Sequence, residues 1–128
     1  MEIIVTDERD ERFIKFCDSF GCFIDEPQVV LLLMNFKKTV GCTSFKVYDA
    51  DCAEITTLFL NSYDDRERIA YKLIRQLEKI AIEYEFKCVV VSFDSKDDIL
   101  IEIFEKLDYH LIKNSDEILY KKVFKSLI

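Results

Sequence analysis

Glycine and proline are nearly missing from this chain: two glycines and one proline punctuate 128 residues. No GxGxxG or GxxxxGK[ST] stretch occurs, which removes the dinucleotide-binding and P-loop classes. No linker, repeat or low-complexity segment interrupts the chain, so residues 1–128 read as one domain, long enough for a real core. Histidine is equally scarce, with His110 alone. The five cysteines (Cys17, Cys22, Cys42, Cys52 and Cys88) form no CxxC pair. A zinc site would need a scattered ligand set, and no metal is expected. The cysteines read as small buried hydrophobes in a reducing compartment. A Ser-His-Asp or Cys-His unit would have to use His110, which has no activated-nucleophile motif near it.

Long apolar runs are missing too. The longest, residues 29–34, is too short to span a bilayer. The opening MEIIVTDERDER lacks the basic and apolar regions of a secretion signal. The expected location is the cytoplasm, with no membrane partner. A net charge of −7 and no clustered basic face argue against nucleic acid. That acidity either steers a cationic partner such as an amine toward the protein or simply keeps the domain soluble. What the chain does hold is 50% hydrophobic and 34% charged residues, an ordinary globular balance. Its eleven Phe and six Tyr suit a core, or in part the face of a homodimer.

Periodicity gives the element order. Residues 2–5 read as a short strand. Phe13, Phe16, Cys17 and Phe20 recur at helical spacing over residues 8–20, with Gly21 placed to end that helix. Residues 29–36, 40–48 and 53–60 read as three strands, joined by turns at Lys37-Lys38-Thr39 and Asp49-Ala50-Asp51. A long helix follows, with Ile69, Ala70, Leu73, Ile74, Leu77, Ile80, Ala81 and Tyr84 on its buried face and Lys72, Arg75, Glu78 and Lys79 elsewhere. Residues 87–93 form an apolar strand of the parallel kind. Ser95 and Asp98 resemble a capping box for a second helix that buries Ile99, Leu100, Ile103, Phe104 and Leu107. Strands near residues 109–112 and 118–124 flank Asn114-Ser115-Asp116. The order is β-α-β-β-β-α-β-α-β-β, an α/β domain whose mixed sheet has about seven strands.

The most informative segment is residues 53–81, AEITTLFLNSYDDRERIAYKLIRQLEKIA. A strand runs through a polar turn into a helix N-terminus, where unpaired backbone N–H groups and the helix dipole suit a phosphate. The turn, Ser62 through Arg68, has no glycine and three acids.

That segment and the element order resemble the GNAT family of N-acetyltransferases. The resemblance rests on five stretches in register: Val40-Gly41; Ala53-Glu54-Ile55 with Leu58-Phe59-Leu60; Ile69-Ala70 with Leu73-Ile74; Ile103-Phe104-Glu105-Lys106-Leu107-Asp108-Tyr109; and the closing run from Glu117 to Lys122. It implies a GNAT-like (acyl-CoA N-acyltransferase) fold with acetyl-CoA in a cleft between splayed strands four and five. Leu58, Phe59 and Leu60 would pair with pantetheine. Asp65, Arg66, Glu67, Arg68, Ile69 and Ala70 would stand at the pyrophosphate. The family writes that turn [RQ]-x-x-G-x-[GA], and only Ala70 fits. Arg66 and Arg68 could pair with phosphate, while Asp65 would repel it. The other reading of these residues is a solvated first turn.

The resemblance places Glu54 where many members hold a general base; the alternative is a strand glutamate facing solvent. The oxyanion donor would be a backbone N–H near Phe59 or Leu60. The tyrosine that often protonates the leaving thiolate is replaced by Phe104, with Tyr109 as a substitute acid. Asp108 replaces a glycine, which is expected to alter the approach to the last strands. Two functions follow. One is an acetyl-CoA-dependent N-acetyltransferase acting on a primary amine, whether a small molecule, a polyamine or a peptide or protein amine. The other is a catalytically silent GNAT-fold module that binds a partner or senses an acyl-CoA.

Overall fold

The computed structural model describes residues 1–21, 29–61, 65–93 and 98–125. Seven strands form one sheet in the order β1-β2-β3-β4-β5-β7-β6. In chain order the elements are β1 (Glu2–Thr6), α1 (Glu11–Ser19), β2 (Val29–Asn35), β3 (Lys38–Val47), β4 (Cys52–Leu60), α2 (Arg66–Glu83), β5 (Cys88–Phe93), α3 (Asp98–Lys106), β6 (His110–Asn114) and β7 (Ile118–Val123). Only β4 and β5 pair in parallel; the rest of the sheet is antiparallel. The expected order and mixed sheet are both present. Ser95 of the expected capping box, the turn residues Ser62, Tyr63 and Asp64, Cys22 and the loop after Gly21 lie outside the described residues.

Two layers of side chains cover the sheet. One face packs on α2 and α3, through Ala53, Ile55, Val89, Val91 and Tyr120 against Ile69, Leu73, Leu77, Ile103 and Phe104. The other packs on α1 through Phe13, Phe16 and Cys17 against Val30, Leu32, Met34 and Cys42. Asp10 starts α1 by accepting from the Arg12 backbone N–H at 2.9 Å and pairing with its guanidinium at 2.7 Å. That guanidinium holds the Asp10 carboxyl far below the usual range. Gly21, at φ +65°, ends the turn after α1 as its sequence position predicts.

Several expectations change at the edges of elements. The β2–β3 turn sits at Phe36-Lys37, because Asn35 pairs with Lys38. Phe36 takes φ +57° and is almost fully exposed. Tyr84 caps the end of α2 at 52% exposure and Ile99 stands at 55%, so neither belongs to the core. Both lie at helix ends, beyond the sheet that buries the middle of each stripe. Glu78 moves the other way and is buried.

The cysteines also divide. Cys17 and Cys42 are buried thiols as expected, but Cys52 and Cys88 are joined as a disulfide. The β4–α2–β5 crossover returns two residues 36 apart to directly opposed positions, with Cα atoms 4.6 Å apart, inside the span of a disulfide.

Asp108 does not disturb the approach to the last strands. It adopts φ +70°, the left-handed conformation a glycine would supply, and the Tyr109 N–H still reaches the Phe104 carbonyl at 3.0 Å. The turn is kept and its strain is carried by an aspartate. Asp108→Gly is therefore expected to raise stability by up to about 1 kcal/mol, read as a higher urea midpoint at unchanged m-value.

Candidate active site

The site begins with a bulge. Ser44 pairs with Thr57 and Phe45 with Ile55, so Thr56 is one residue more than β3 can match. The extra residue flips the facing of the strand. Ala53 and Ile55 point toward α2 before the bulge, and Leu58 and Leu60 do so after it. Phe59 therefore faces α1, where it stacks on Phe20 at 4.9 Å. The Ser44 hydroxyl holds the bulge through the Thr56 and Thr57 hydroxyls at 2.7 and 2.5 Å.

The bulge coincides with a parting of the sheet. β4 and β5 pair from Cys52–Cys88 to Ile55–Val91 and no further. Among the described residues, β4 beyond Ile55 bonds only to β3. Successive peptide groups of a strand point to alternate sides, so about half of those in residues 56–60 face the gap without a ladder partner. The gap is a pocket of about 110 Å³ lined by Ile55, Thr56, Thr57, Leu58, Val91, Ser92, Phe93, Leu100 and Phe104. It is mostly apolar, with hydroxyls at Thr56, Thr57 and Ser92. Ser92 was not singled out from the sequence, because an isolated serine inside an apolar strand carries no periodic signal.

Leu58 lines this gap, and Phe59 and Leu60 continue the same unpaired edge. At its outer end the chain enters α2. Asp65 is the N-cap residue, with no side-chain cap hydrogen bond, and its carbonyl accepts from the Ile69 N–H at 2.9 Å. The N–H groups of Arg66, Glu67 and Arg68 belong to the first turn, which has no intrahelical acceptors. The charges there are distributed in pairs. Arg68 pairs with Asp65 at 3.4 Å, and Glu67 with Lys106 of α3 at 2.8 Å. The acid feared as a repulsive charge is thus partly offset by its neighbour. Arg66 is half-buried, and Ile69 and Ala70 are fully inside the core. Gly41 sets how closely this turn approaches the sheet: a Cβ there would lie 3.0 Å from Ile69 Cγ2 and 3.1 Å from Leu73 Cδ1.

Glu54 is half-buried on β4, one residue before the last β4–β5 pair, on the face away from α2. Its direct cross-strand neighbours are Lys46 and Val90. Phe104 lines the pocket, where a phenyl ring offers no proton.

Tyr109 is corrected as an acid. It lies behind Phe104, with ring centres 5.0 Å apart, and its hydroxyl donates to Glu78 Oε2 at 2.9 Å. Burial, with Glu78 beside it, pushes the phenol well above its ordinary range, so it is a poor proton donor as well as a misdirected one. Lys122 completes the group, 3.1 Å from Glu78 Oε1 and 5.8 Å from the Tyr109 ring centre.

No helix among the described residues is long and apolar enough to cross a membrane. No protein-family model matches the chain, and no curated protein matches it in sequence. Solved structures do match in fold. An aminoglycoside 6'-acetyltransferase type Ii superposes with a TM-score of 0.80 at 17% identity, covering 96% of this chain and 97% of that one. A GNAT family acetyltransferase from Elizabethkingia anophelis with acetyl-CoA bound gives 0.68 at 11% identity, over 95% and 98%. The ribosomal-protein-S18-alanine N-acetyltransferase from Escherichia coli gives 0.75 at 11% identity, over 98% and 96%. The seven-stranded mixed sheet, its three helices and these superpositions establish that the chain has the GNAT acyl-CoA N-acyltransferase fold.

Proposed function

We infer that this protein is an acetyl-CoA-dependent N-acetyltransferase acting on a primary amine, as one GNAT domain over residues 1–128. The observation that carries the reading is the parting of β4 from β5 at Ile55–Val91, with an apolar pocket at the fork and a helix N-terminus at the end of the unpaired edge. Peptide groups of Leu58, Phe59 and Leu60 would pair with the pantetheine amides. The first-turn N–H groups of α2, with Arg66 and Arg68, would hold the pyrophosphate. Acetyl-CoA supplies the activated acyl group as a thioester.

The chain's own residues then do three things. Glu54 takes a proton from the ammonium, directly or through a water, so that the nitrogen lone pair can attack the thioester carbonyl. A backbone N–H near Phe59 or Leu60 donates to the oxygen as charge builds on it. The C–S bond would then break, the attacking nitrogen giving up its second proton to solvent and the sulfur leaving as thiolate, which would take a proton from solvent because Phe104 has none to give. Thiolate is a fair leaving group near neutral pH, so the reaction proceeds without that acid at some cost in rate.

The neighbours' names include an aminoglycoside and a ribosomal-protein alanine as acceptors, which supports an amine as the acceptor class. A cytoplasmic location belongs to the same proposal, and there Cys52 and Cys88 would be held as thiols. The competing reading is a silent module. Its support is the loss of the family's residue types at Asp65, Arg68 and Phe104.

Acetyl-CoA at a hundredfold excess over its Kd is expected to add about 2.7 kcal/mol of stability. Thermal unfolding with and without acetyl-CoA, together with a free-thiol assay over an amine panel, separates the outcomes. Stabilisation with thiol release supports the transferase. Stabilisation with no release from any amine favours the acyl-CoA sensor. No stabilisation at millimolar acetyl-CoA removes the transferase and the acyl-CoA sensor and leaves a silent module that binds a partner.

A further inference from the structure

Thr43 and Ser44 are wholly buried hydroxyls in the middle of β3, and both are directed at the bulge in β4. Alternation along β3 puts Thr43 on the α2 face with Phe45, and Ser44 on the α1 face with Cys42. The Thr43 hydroxyl donates to the Thr57 carbonyl at 2.8 Å. The Ser44 hydroxyl meets the hydroxyls of Thr56 and Thr57. Thr57 is thus held from both faces of the sheet, beside the one residue that β3 leaves unmatched. Thr43 stands in an apolar layer where valine has the same shape, so what its hydroxyl adds is this bond.

The bond fixes the direction of a peptide group. The C=O and N–H of one trans peptide point opposite ways. A Thr57 carbonyl turned to β3 therefore sends the Leu58 N–H away from β3, into the gap. A second bond gives the same parity: the Asn61 N–H donates to the Val40 carbonyl at 2.9 Å. In an antiparallel ladder, residues alternate between facing their partner strand and facing away from it. Thr57, Phe59 and Asn61 face β3, while Leu58 and Leu60 face the gap, where β4 has no partner among the described residues. Leu58 is the nearer to the closed end at Ile55–Val91, and Leu60 the nearer to the N-terminus of α2. A thioester whose pyrophosphate rests on α2 reaches inward, so its carbonyl meets Leu58 and its pantetheine meets Leu60.

We propose that Thr43 is a positioning residue: through the Thr57 carbonyl it aims the Leu58 N–H at the oxygen of the thioester carbonyl. The proposal rests on the transferase reading and names the donor for the charge that develops there. Thr43 itself touches no substrate. Its effect is on orientation, since a peptide group free to rock presents its N–H productively for less of the time.

Amide hydrogen exchange and steady-state kinetics test it together. In the free protein the Leu58 N–H should exchange fast and the Phe59 N–H slowly, and acetyl-CoA should protect Leu58. Slow exchange at Leu58 with fast exchange at Phe59 would overturn the proposal whatever the activity. Kinetics use thiol release from acetyl-CoA, with 1,4-diaminobutane, butylamine and an alanyl peptide as trial acceptors. Thr43→Val should lower kcat by about tenfold, short of the roughly 10²–10³ lost with an oxyanion donor itself. KM for acetyl-CoA should stay within about twofold of wild type, the split expected for an interaction made in the transition state. Thr43→Ser keeps the hydroxyl and should restore most of kcat; Thr43→Ala replaces the valine variant if that one fails to fold. An unchanged kcat in Thr43→Val, or an equal loss in Thr43→Ser, would overturn the positioning role and leave the transferase reading standing. No thiol release from wild type with any of the three amines, with the exchange pattern as expected, counts against the transferase and removes the catalytic role with it.

Discussion

Replacing Glu78 with alanine is expected to lower the unfolding free energy by about 2–4 kcal/mol, the largest loss from any single side chain outside the apolar core. Glu78 is 8% exposed on α2 and has both carboxylate oxygens engaged, with the Tyr109 hydroxyl at 2.9 Å and the Lys122 ammonium at 3.1 Å. Truncation leaves a partly buried cation and a buried phenol, each without its acceptor. That penalty exceeds what the intact pair contributes, because desolvation has already been incurred by both partners. Domains of this size are stable by about 5–15 kcal/mol in all, so the variant should be visibly marginal. Tyr109→Phe removes only one neutral donor and keeps the packing on Phe104; about 1 kcal/mol is expected.

The same phenol gives a signature in pH. Its pKa in the folded protein is raised by burial and by Glu78, above an unfolded value near 10. A raised folded pKa means that the protonated form is favoured by folding. This contribution is therefore fully present below about pH 10 and is lost as pH rises through the folded value. Wild type should lose stability above about pH 10 more steeply than Tyr109→Phe. Urea midpoints at several pH values check both statements. A Glu78→Ala variant within 1 kcal/mol of wild type would show that the cluster is not coupled to folding.

On the proposed transferase reading, with Glu54 as base, Glu54→Gln carries the largest expected effect on activity. Loss of a general base is worth about 10²–10⁴ in rate, and glutamine keeps the size and half-buried position of the side chain. Acetyl-CoA should still stabilise the variant, since the unpaired edge of β4 and the α2 N-terminus are untouched. Retention of wild-type kcat/KM would remove Glu54 from the chemistry and point to a water-only proton path. Cys52 and Cys88 stand paired at the closed end of the fork and can be disulfide or dithiol, so both proteins should be compared in one redox state.

How much of this could be read in advance depends on the range of the interaction involved. Ile69, Leu73 and Leu77 were recognisable as the buried stripe of α2, because neighbours three and four apart define a helix face locally. Residues 53–60 were recognisable as the strand leading to the site, and Gly21 as a helix stop. The Thr56 bulge was not, since two versus one residues across a ladder exist only once β3 and β4 are aligned. Glu78 looked like a surface charge because its two partners lie 31 and 44 residues away. Tyr109 looked available as an acid for the same reason: nothing near it in the chain shows where its hydroxyl turns.

By itself, then, the sequence determined the order of elements, the faces of the helices and the strand–turn–helix segment on which the GNAT resemblance rests. These follow from spacing along the chain, through helical and strand periodicity. Tertiary structure alone decided that β4 leaves β5 after Ile55, that Cys52 meets Cys88, and that Thr43 and Ser44 hold Thr57 at the bulge. Each of these is a matter of register between strands joined by a crossover or a hairpin. Register is set by loop geometry and by the packing of the whole sheet, which no short window of sequence contains.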